Sequence, residues 1–357
     1  MKKVKDQSVE FKTTMGLDLG DKKSRFCLID GAGDVIERGG CPTSRRGFRK
    51  AFEKRPAQVV VIEVGTHSPW VSVLLAELGQ QVIVANPRKV RLIAASMRKN
   101  DNIDAELLAR LGRADKALLA PIEHRGMAVQ ADLAVIKSRD ELVQTRTKLI
   151  NHVRGLVKSS GERLPSCTTE AFPATTAPLL PEPLRPVLEP MLQTIASINA
   201  GIKKLMWLIE KELPKKYPDI ELLMQVDGVG PITAAAFVLT LEDPRRFSKS
   251  RQVGAYLGLT TRQHQSGEKD PELRISKCGS PLLRRLLVNC AHHILGHFGA
   301  ESDLRTWGLG LAARGKKNAK KRAVVAVARK LSVLLHRLWV TGEVYQAVGY
   351  HQRQHGG

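Results

Sequence analysis

Cysteine is scarce and unpatterned. The five, Cys27, Cys41, Cys167, Cys278 and Cys290, are odd in number and form no C-x-x-C pair, which argues against a disulfide framework and predicts reduced thiols. His292, His293 and His297 fall near Cys290 at helical spacings, but no H-E-x-x-H accompanies them, so they read as packed or surface histidines rather than zinc ligands. No uncharged apolar run approaches the length of a spanning helix and no signal-peptide pattern opens the chain; a cytoplasmic location with no membrane partner is expected. The four tryptophans, Trp70, Trp207, Trp307 and Trp339, are scattered as core or interface residues would be. Gly310 to Lys317, GLAARGKK, nearly spells a nucleotide-binding P-loop but ends on lysine where magnesium needs a hydroxyl, which argues against ATP binding.

Acid is also short relative to base. Against 57 Lys and Arg stand 35 Asp and Glu, a formal net charge of +22. That excess points to a polyanionic partner, nucleic acid by default. With 43% hydrophobic residues over 357 positions, the chain is globular and long enough for two cores.

The few acids that matter sit at defined places. In Lys99 to Leu108, KNDNIDAELL, Asp101 and Asp104 are three apart at a helix entry, where positions i and i+3 share a face. Asn100 or Asp101 would cap that helix, and Ile103, Leu107, Leu108 and Leu111 would form its buried side. Upstream, Thr13 to Gly20, TTMGLDLG, carries Asp18 after a short apolar segment. Gln58 to Gly65, QVVVIEVG, carries Glu63 after four β-branched residues. Such runs read as strands buried on both faces, where an ionised acid is costly unless it meets a cation. Four carboxylates from three elements, Asp18, Glu63, Asp101 and Asp104, form a hard oxygen set suited to Mg2+ or Mn2+. The competing reading is a capped surface helix whose first-turn acids answer the helix dipole.

In order along the chain, residues 1–12 are a polar, charged arm. Thr13 to Gly20, Ser24 to Asp30 and Asp34 to Arg38 make a three-stranded meander. A helix over Gly47 to Lys54, the Glu63 strand, a helix over Ser68 to Leu78 and a strand over Gln81 to Ala85 lead to the D-x-x-D. This order predicts an α/β RNase H-like domain over residues 13–125. Residues 126–215 read as a helical linker, a coiled-coil hairpin of Met127 to Val157 with Val187 to Leu213 across the proline-rich Pro165 to Pro186. Residues 216–312 read as a mainly α domain and 313–357 as a basic C-terminal helix. Leu222 to Leu241 contains a Gly228-Val229-Gly230 turn before Pro231, resembling a helix-hairpin-helix whose backbone N–H groups hold a phosphate. Downstream, Ser266 lies in a polar loop among Arg262, Lys269, Arg274, Lys277, Arg284 and Arg285, cations that would stabilise a phosphoryl transition state.

These segments, taken in order, resemble the DEDD transposases, the insertion-sequence recombinases related to the Piv DNA invertase. The carrying motifs are GLDLG at Asp18, VIEVGTHSPW at Glu63, KNDNIDAELLAR, GVGPITAA, YLGLTTRQHQSG and ISKCGSPLLRRLL. The resemblance implies a RuvC-like domain supplying the tetrad Asp18, Glu63, Asp101 and Asp104, and a transposase domain supplying Ser266 as nucleophile. Ser276, read as a cap for the next helix, is the second candidate. It also implies DNA as substrate, a noncoding RNA of the element as guide, and a homodimer or homotetramer. Two other readings use the same residues: a Holliday-junction-resolvase-like nuclease with water as nucleophile, and a nucleic-acid-binding scaffold without catalysis.

Overall fold

The strand-like runs join into one five-stranded sheet. Its strands are β1 (Thr14–Asp18), β2 (Lys23–Ile29), β3 (Val35–Pro42), β4 (Val59–Glu63) and β5 (Gln81–Ala85), in the order β3-β2-β1-β4-β5. The computed structural model describes residues 13–93, 100–263, 265–266, 273–315 and 318–349. It divides into two units, residues 1–127 and 128–357. The basic arm expected over residues 1–12 lies outside the described residues.

In the first unit, tight turns join β1 to β2 and β2 to β3, so these pairs are antiparallel. Helix α1 (Arg45–Phe52) precedes β4 and α2 (Ser68–Glu77) precedes β5. A helical crossover returns the chain in the same direction, so β1/β4 and β4/β5 are parallel. Alternate residues face opposite sides. Met15, Leu17, Val60 and Ile62 pack with Phe48 and Phe52 of α1 and Leu74 and Leu75 of α2. Val59, Val61, Ile83 and Ala85 pack on the other side, with Leu108 and Leu111. The Val59–Ile62 run is therefore buried on both faces, as its continuous apolarity predicts.

Helix α3 (Pro87–Ile93) precedes α4 (Asp101–Ala114). Asn100 caps α4, its side chain accepting a hydrogen bond from Asn102 N at 3.0 Å. Leu108 and Leu111 of α4 are buried as expected, but Ile103 is 46% exposed and Ala105, Ala109 and Gly112 are buried in its place. The cause is close packing. A Cβ on Gly16 of β1 would lie 1.9 Å from Ala105 O and 2.4 Å from Ala109 N, so only small residues let the helix seat on the strand. Ile103 lies two residues before Ala105, about 200° round the helix, and faces out.

The second unit is mostly helical. Helix α5 (Met127–Ser159) is followed by α6 (Phe172–Thr176) and α7 (Arg185–Trp207). Arg139 Nε donates to the Met206 sulfur at 3.2 Å and Arg146 to Asn199 Oδ1 at 2.8 Å, so α5 and α7 run antiparallel. Ile150, Val153, Val157, Leu188, Leu192 and Ile195 form their distal core. A wide turn over Leu208–Glu212 leads into α8 (Leu213–Lys216), where Pro214 has no N–H to continue the ladder. Then come α9 (Asp219–Leu223), α10 (Pro231–Leu241), α11 (Arg251–Tyr256), α12 (Pro281–Leu295), α13 (Asp303–Ala312) and α14 (Ala319–Thr341). Leu133 and Ile136 of α5 join the core of these helices. His336 of α14 is buried; its Nε2 lies 2.8 Å from Pro244 O and its Nδ1 2.9 Å from Ser250 Oγ. A carbonyl can only accept, so Nε2 carries the proton. No described helix is long and apolar enough to cross a membrane.

Candidate active site

The first unit sets the acids at one end and one face of its sheet. Asp18 ends β1 and Glu63 ends β4, each one residue beyond the parallel pair Leu17/Ile62. Gly16 lies against Ala105 and Ala109, and Gly112 against Val61 and Thr14. Residues 14, 16 and 18 of β1 and 59, 61 and 63 of β4 therefore share the α4 side, by the period of two. Moving from Gly112 to Ala105 along α4 follows β1 from Thr14 to Gly16, so the helix runs antiparallel to the strand and its first turn lies toward the end carrying Asp18. That first turn holds Asp101 and Asp104. Asp101 is exposed; Asp18, Glu63 and Asp104 are half-buried.

The chemistry of this donor set fits a hard divalent cation, four carboxylates with no sulfur or imidazole among them. Among the described residues, no three Asp, Glu, His or Cys are gathered tightly enough to hold a metal ion. Lys99, the first residue of the expected motif, lies outside the described residues. Glu106, on the next turn, is committed to Arg38 at 2.6 Å and Arg110 at 2.8 Å. Those hydrogen bonds hold its carboxyl below the usual glutamate range and tie α4 to β3.

Two residues beyond these acids were not singled out from the sequence. His67, at the start of α2, accepts a hydrogen bond at Nδ1 from Trp70 Nε1 at 3.2 Å. Its Nε2 lies 3.6 Å from Asp21 Oδ1. Both residues follow a strand that ends in a candidate acid, and the signal available in the sequence was the T-H-S-P-W run that begins three residues after Glu63.

The second unit holds the remaining candidates in two places. In the first, a turn over Val226–Val229 closes through Val229 N to Val226 O at 3.0 Å, with Gly228 at φ +81°. Gly230 then caps α10, and a Cβ there would meet nothing within 4 Å. The helix before the turn is shorter than the sequence suggests, α9 ending at Leu223. Asp227, Asn289 and His293 line an open depression of about 490 Å3 beside the turn. The Asp227 carboxylate lies 3.7 Å from His293 Nε2 and accepts from Ala300 N at 3.1 Å.

In the second place, Ser266 lies, as expected, in the segment between two helices, α11 and α12, and the two ends of that segment pair as antiparallel arms. Arg262 N donates to Arg274 O at 3.0 Å, Ser276 N to Thr260 O at 2.8 Å and Lys277 N to Gly258 O at 3.1 Å. The two arms cross tightly at their base, where a Cβ on Gly258 would lie 2.2 Å from Cys278 N and one on Gly279 2.2 Å from Tyr256 O. Ser266 is exposed beyond these arms. Ser276 does not cap α12; Ser280 does, accepting from Leu283 N at 3.3 Å. Of the cations expected around Ser266, Arg262, Arg274 and Lys277 are on the hairpin and exposed. Arg284 donates to Leu257 O at 3.0 Å and Cys278 O at 2.7 Å, bracing the hairpin base. Arg285 pairs with Asp140 of α5. Lys269 and Gly267 lie outside the described residues, as do Lys316 and Lys317 of the P-loop-like run.

Known proteins share these two segments. A model for DEDD transposases of the IS110 type matches residues 15–161, and one described as the transposase IS116/IS110/IS902 family matches residues 220–305. A Sinorhizobium fredii relative whose name places it among the transposases, y4pF/y4sB, is 30% identical over 87% of this chain and 80% of its own length. The chain belongs to the IS110 family of transposases. The transposase for insertion sequence element IS1111A of Coxiella burnetii is 29% identical over 93% of this transposase and 91% of its own length. The pilin gene-inverting protein of Moraxella bovis is 22% identical over 90% and 93%. This transposase is thus an enzyme of DNA recombination, with a mixed α/β sheet unit consistent with an RNase H-like DEDD domain and a mostly helical remainder.

Proposed function

We propose that this transposase cuts and rejoins DNA by phosphoryl transfer, with Asp18, Glu63, Asp101 and Asp104 as the metal-holding tetrad and Ser266 as nucleophile. The observation that carries the reading is the shared sheet face: two strand-end acids and the first turn of α4 lie on one side and at one end of the sheet. Mg2+ or Mn2+ held there would polarise the scissile phosphate and stabilise the leaving oxygen. Ser266 Oγ attacks phosphorus, the phosphodiester oxygen leaves with its strand, and the hydroxyl proton passes to water. The serine ester preserves the bond energy for religation. Arg262, Arg274 and Lys277 meet the charge that builds on the phosphoryl oxygens, while the backbone at Gly228 and Gly230 grips a phosphate away from the reacting one.

In this reading residues 13–125 form the RuvC-like catalytic domain, 126–215 the coiled-coil arm, 216–312 the transposase domain with its helix-hairpin-helix-like turn and 313–357 a basic helix. A homodimer or homotetramer joins two duplexes, and an RNA encoded by the element guides the choice of sites. The test incubates protein, element-junction DNA, flanking-encoded RNA and Mg2+, and looks for a protein–DNA adduct on a denaturing gel. Loss of the adduct in both Ser266→Ala and Asp101→Ala supports the composite chemistry. Cleavage without an adduct, insensitive to Ser266→Ala, overturns it in favour of a resolvase-like nuclease using water. Ser276→Ala belongs in the same gel, because Ser276 sits in the hairpin and has no capping role.

A further inference from the structure

An open groove of about 1320 Å3 runs between the serine hairpin and helices α13 and α14, wholly within the second unit. It is larger than the roughly 300–1,000 Å3 of small-molecule pockets. Among the described residues its lining carries nine Arg and Lys side chains and one acid, Asp303. Between those charges the lining is apolar, with Leu259, Ile275, Leu304 and Val325. Both arms of the hairpin contribute to one wall, through residues 261–263 and 273–275. Ser266 lies three residues beyond Gln263.

Trp307 of α13 lines the same groove and is 38% exposed. The Lys330 ammonium of α14 stands over its ring, 4.3 Å from the centroid, which sets a cation on one face of a partly exposed aromatic ring. Burial pushes that ammonium below its ordinary value, a cost that an arriving phosphate would offset. Bases have π-faces and phosphates have charge, so an aromatic ring set among cations is the combination that holds an unpaired strand. A duplex hides its base faces and would use the cations alone.

We propose that this groove is the track for an unpaired DNA strand leading to the Ser266 loop, with Trp307 stacking on a base and Arg262, Arg274, Lys321, Arg329 and Lys330 meeting phosphates. The strand is DNA because Ser266, three residues along the chain from the groove wall at Gln263, acts on DNA in the reading above, and this inference rests on that reading.

The test is fluorescence anisotropy on the full chain with three labelled probes: a twelve-nucleotide oligo-dT, its duplex with oligo-dA, and oligo-rU of the same length. Loss of one stacked base predicts that Trp307→Ala weakens oligo-dT binding about 5- to 150-fold, with Trp307→Phe retaining most of the affinity and duplex binding changed less than twofold. Lys321→Ala, an exposed change, lowers the slope of log affinity against log salt for oligo-dT by about 0.7, the share of one phosphate on a single strand. Equal losses on duplex and oligo-dT, tighter binding of oligo-rU than oligo-dT, or unchanged oligo-dT binding by folded Trp307→Ala and Lys321→Ala proteins each overturn the groove assignment. Adduct formation that persists beside such unchanged binding refutes the groove alone. Absence of both adduct and binding to any probe refutes the underlying reading as well.

Discussion

Gly16→Ala adds a single methyl group where β1 meets α4. The new Cβ would stand 1.9 Å from the Ala105 carbonyl oxygen and 2.4 Å from Ala109 N. Close carbon–oxygen contacts fall at about 3.3 Å, so the helix must withdraw by about 1.4 Å or the strand must bend. Both opposing atoms are backbone, so no side-chain rotation relieves the clash. A radial gap of 0.5–1 Å already forfeits about a quarter to a half of the dispersion between facing atoms, and α4 buries Leu108 and Leu111 along the same seam. Overpacking usually costs about 1–3 kcal/mol; a clash between two backbones belongs at or above the top of that range. Gly65→Ala is the control: it follows Glu63 by two residues, a Cβ there meets nothing within 4 Å, and the expected change is within about 0.5 kcal/mol. Urea unfolding with CD detection reads both variants, and the adduct gel reads the consequence for Asp101 and Asp104. A Gly16→Ala protein as stable and active as wild type would refute the seating of α4 on β1, and with it the shared face of the four acids.

Other perturbations test separate links. Glu106 has its carboxyl held below the ordinary value of 4.5, first by Arg38 and then by Arg110; a depressed folded value gives stabilisation that is present above 4.5 and lost as pH falls through the folded value. Thermal melts across pH 7 to 3 should show Glu106→Gln less stable than wild type at neutral pH and converging with it in acid, and parallel curves would count against the pairing. His336→Phe leaves Pro244 O and the Ser250 hydroxyl without their partner, at an expected cost of about 1–3 kcal/mol in urea unfolding; an unchanged midpoint would mean that water reaches both groups. Mg2+ at a hundredfold excess over its dissociation constant should stabilise the wild-type fold by about 2.7 kcal/mol and have little effect on Asp18→Asn or Asp101→Asn. An equal upward shift in melting temperature for those variants would place the cation elsewhere.

The parts of the fold legible in the sequence were those where one local pattern had one solution. Val59–Ile62, flanked by polar residues, had to be a strand buried on both faces, and Gln81–Ala85 is a strand at the bounds its apolar run suggests. Asn100 was one of two cap candidates and is the cap. The buried face of α4 was legible only in part: Leu108 and Leu111 are buried as expected, but hydrophobicity also favours Ile103 and passes over Ala105, Ala109 and Gly112. Small residues carry little apolar signal, and their role appears only once Gly16 is known to oppose them. The same limit applies to the serine loop. The segment does lie between helices, α11 and α12, but its arms, Gly258–Arg262 and Arg274–Lys277, are too short and too polar to announce that they pair. Arg284 looked like a phosphate ligand because charge is visible in a sequence, whereas the carbonyls of Leu257 and Cys278 that it serves are not.

The glycines at these places explain how a polar site is held in register. At Gly16 a helix backbone rests directly on a strand, and at Gly258 and Gly279 two hairpin arms cross at backbone contact. Side chains between such elements would act as adjustable spacers, since each has rotamers through which the elements can shift. Contact between backbones removes that freedom. The acids of α4 are then fixed along the axis of β1, and the arms leading to Ser266 are fixed at their base by Arg284 together with the apolar packing of Leu257 and Leu259. A chain with a net charge of +22 has cations throughout, so cations alone do not distinguish its working surfaces. What sets Asp101 and the arms carrying Ser266 apart is the close backbone crossing in the chain beside each of them, at Gly16 for the first and at Gly258 and Gly279 for the second.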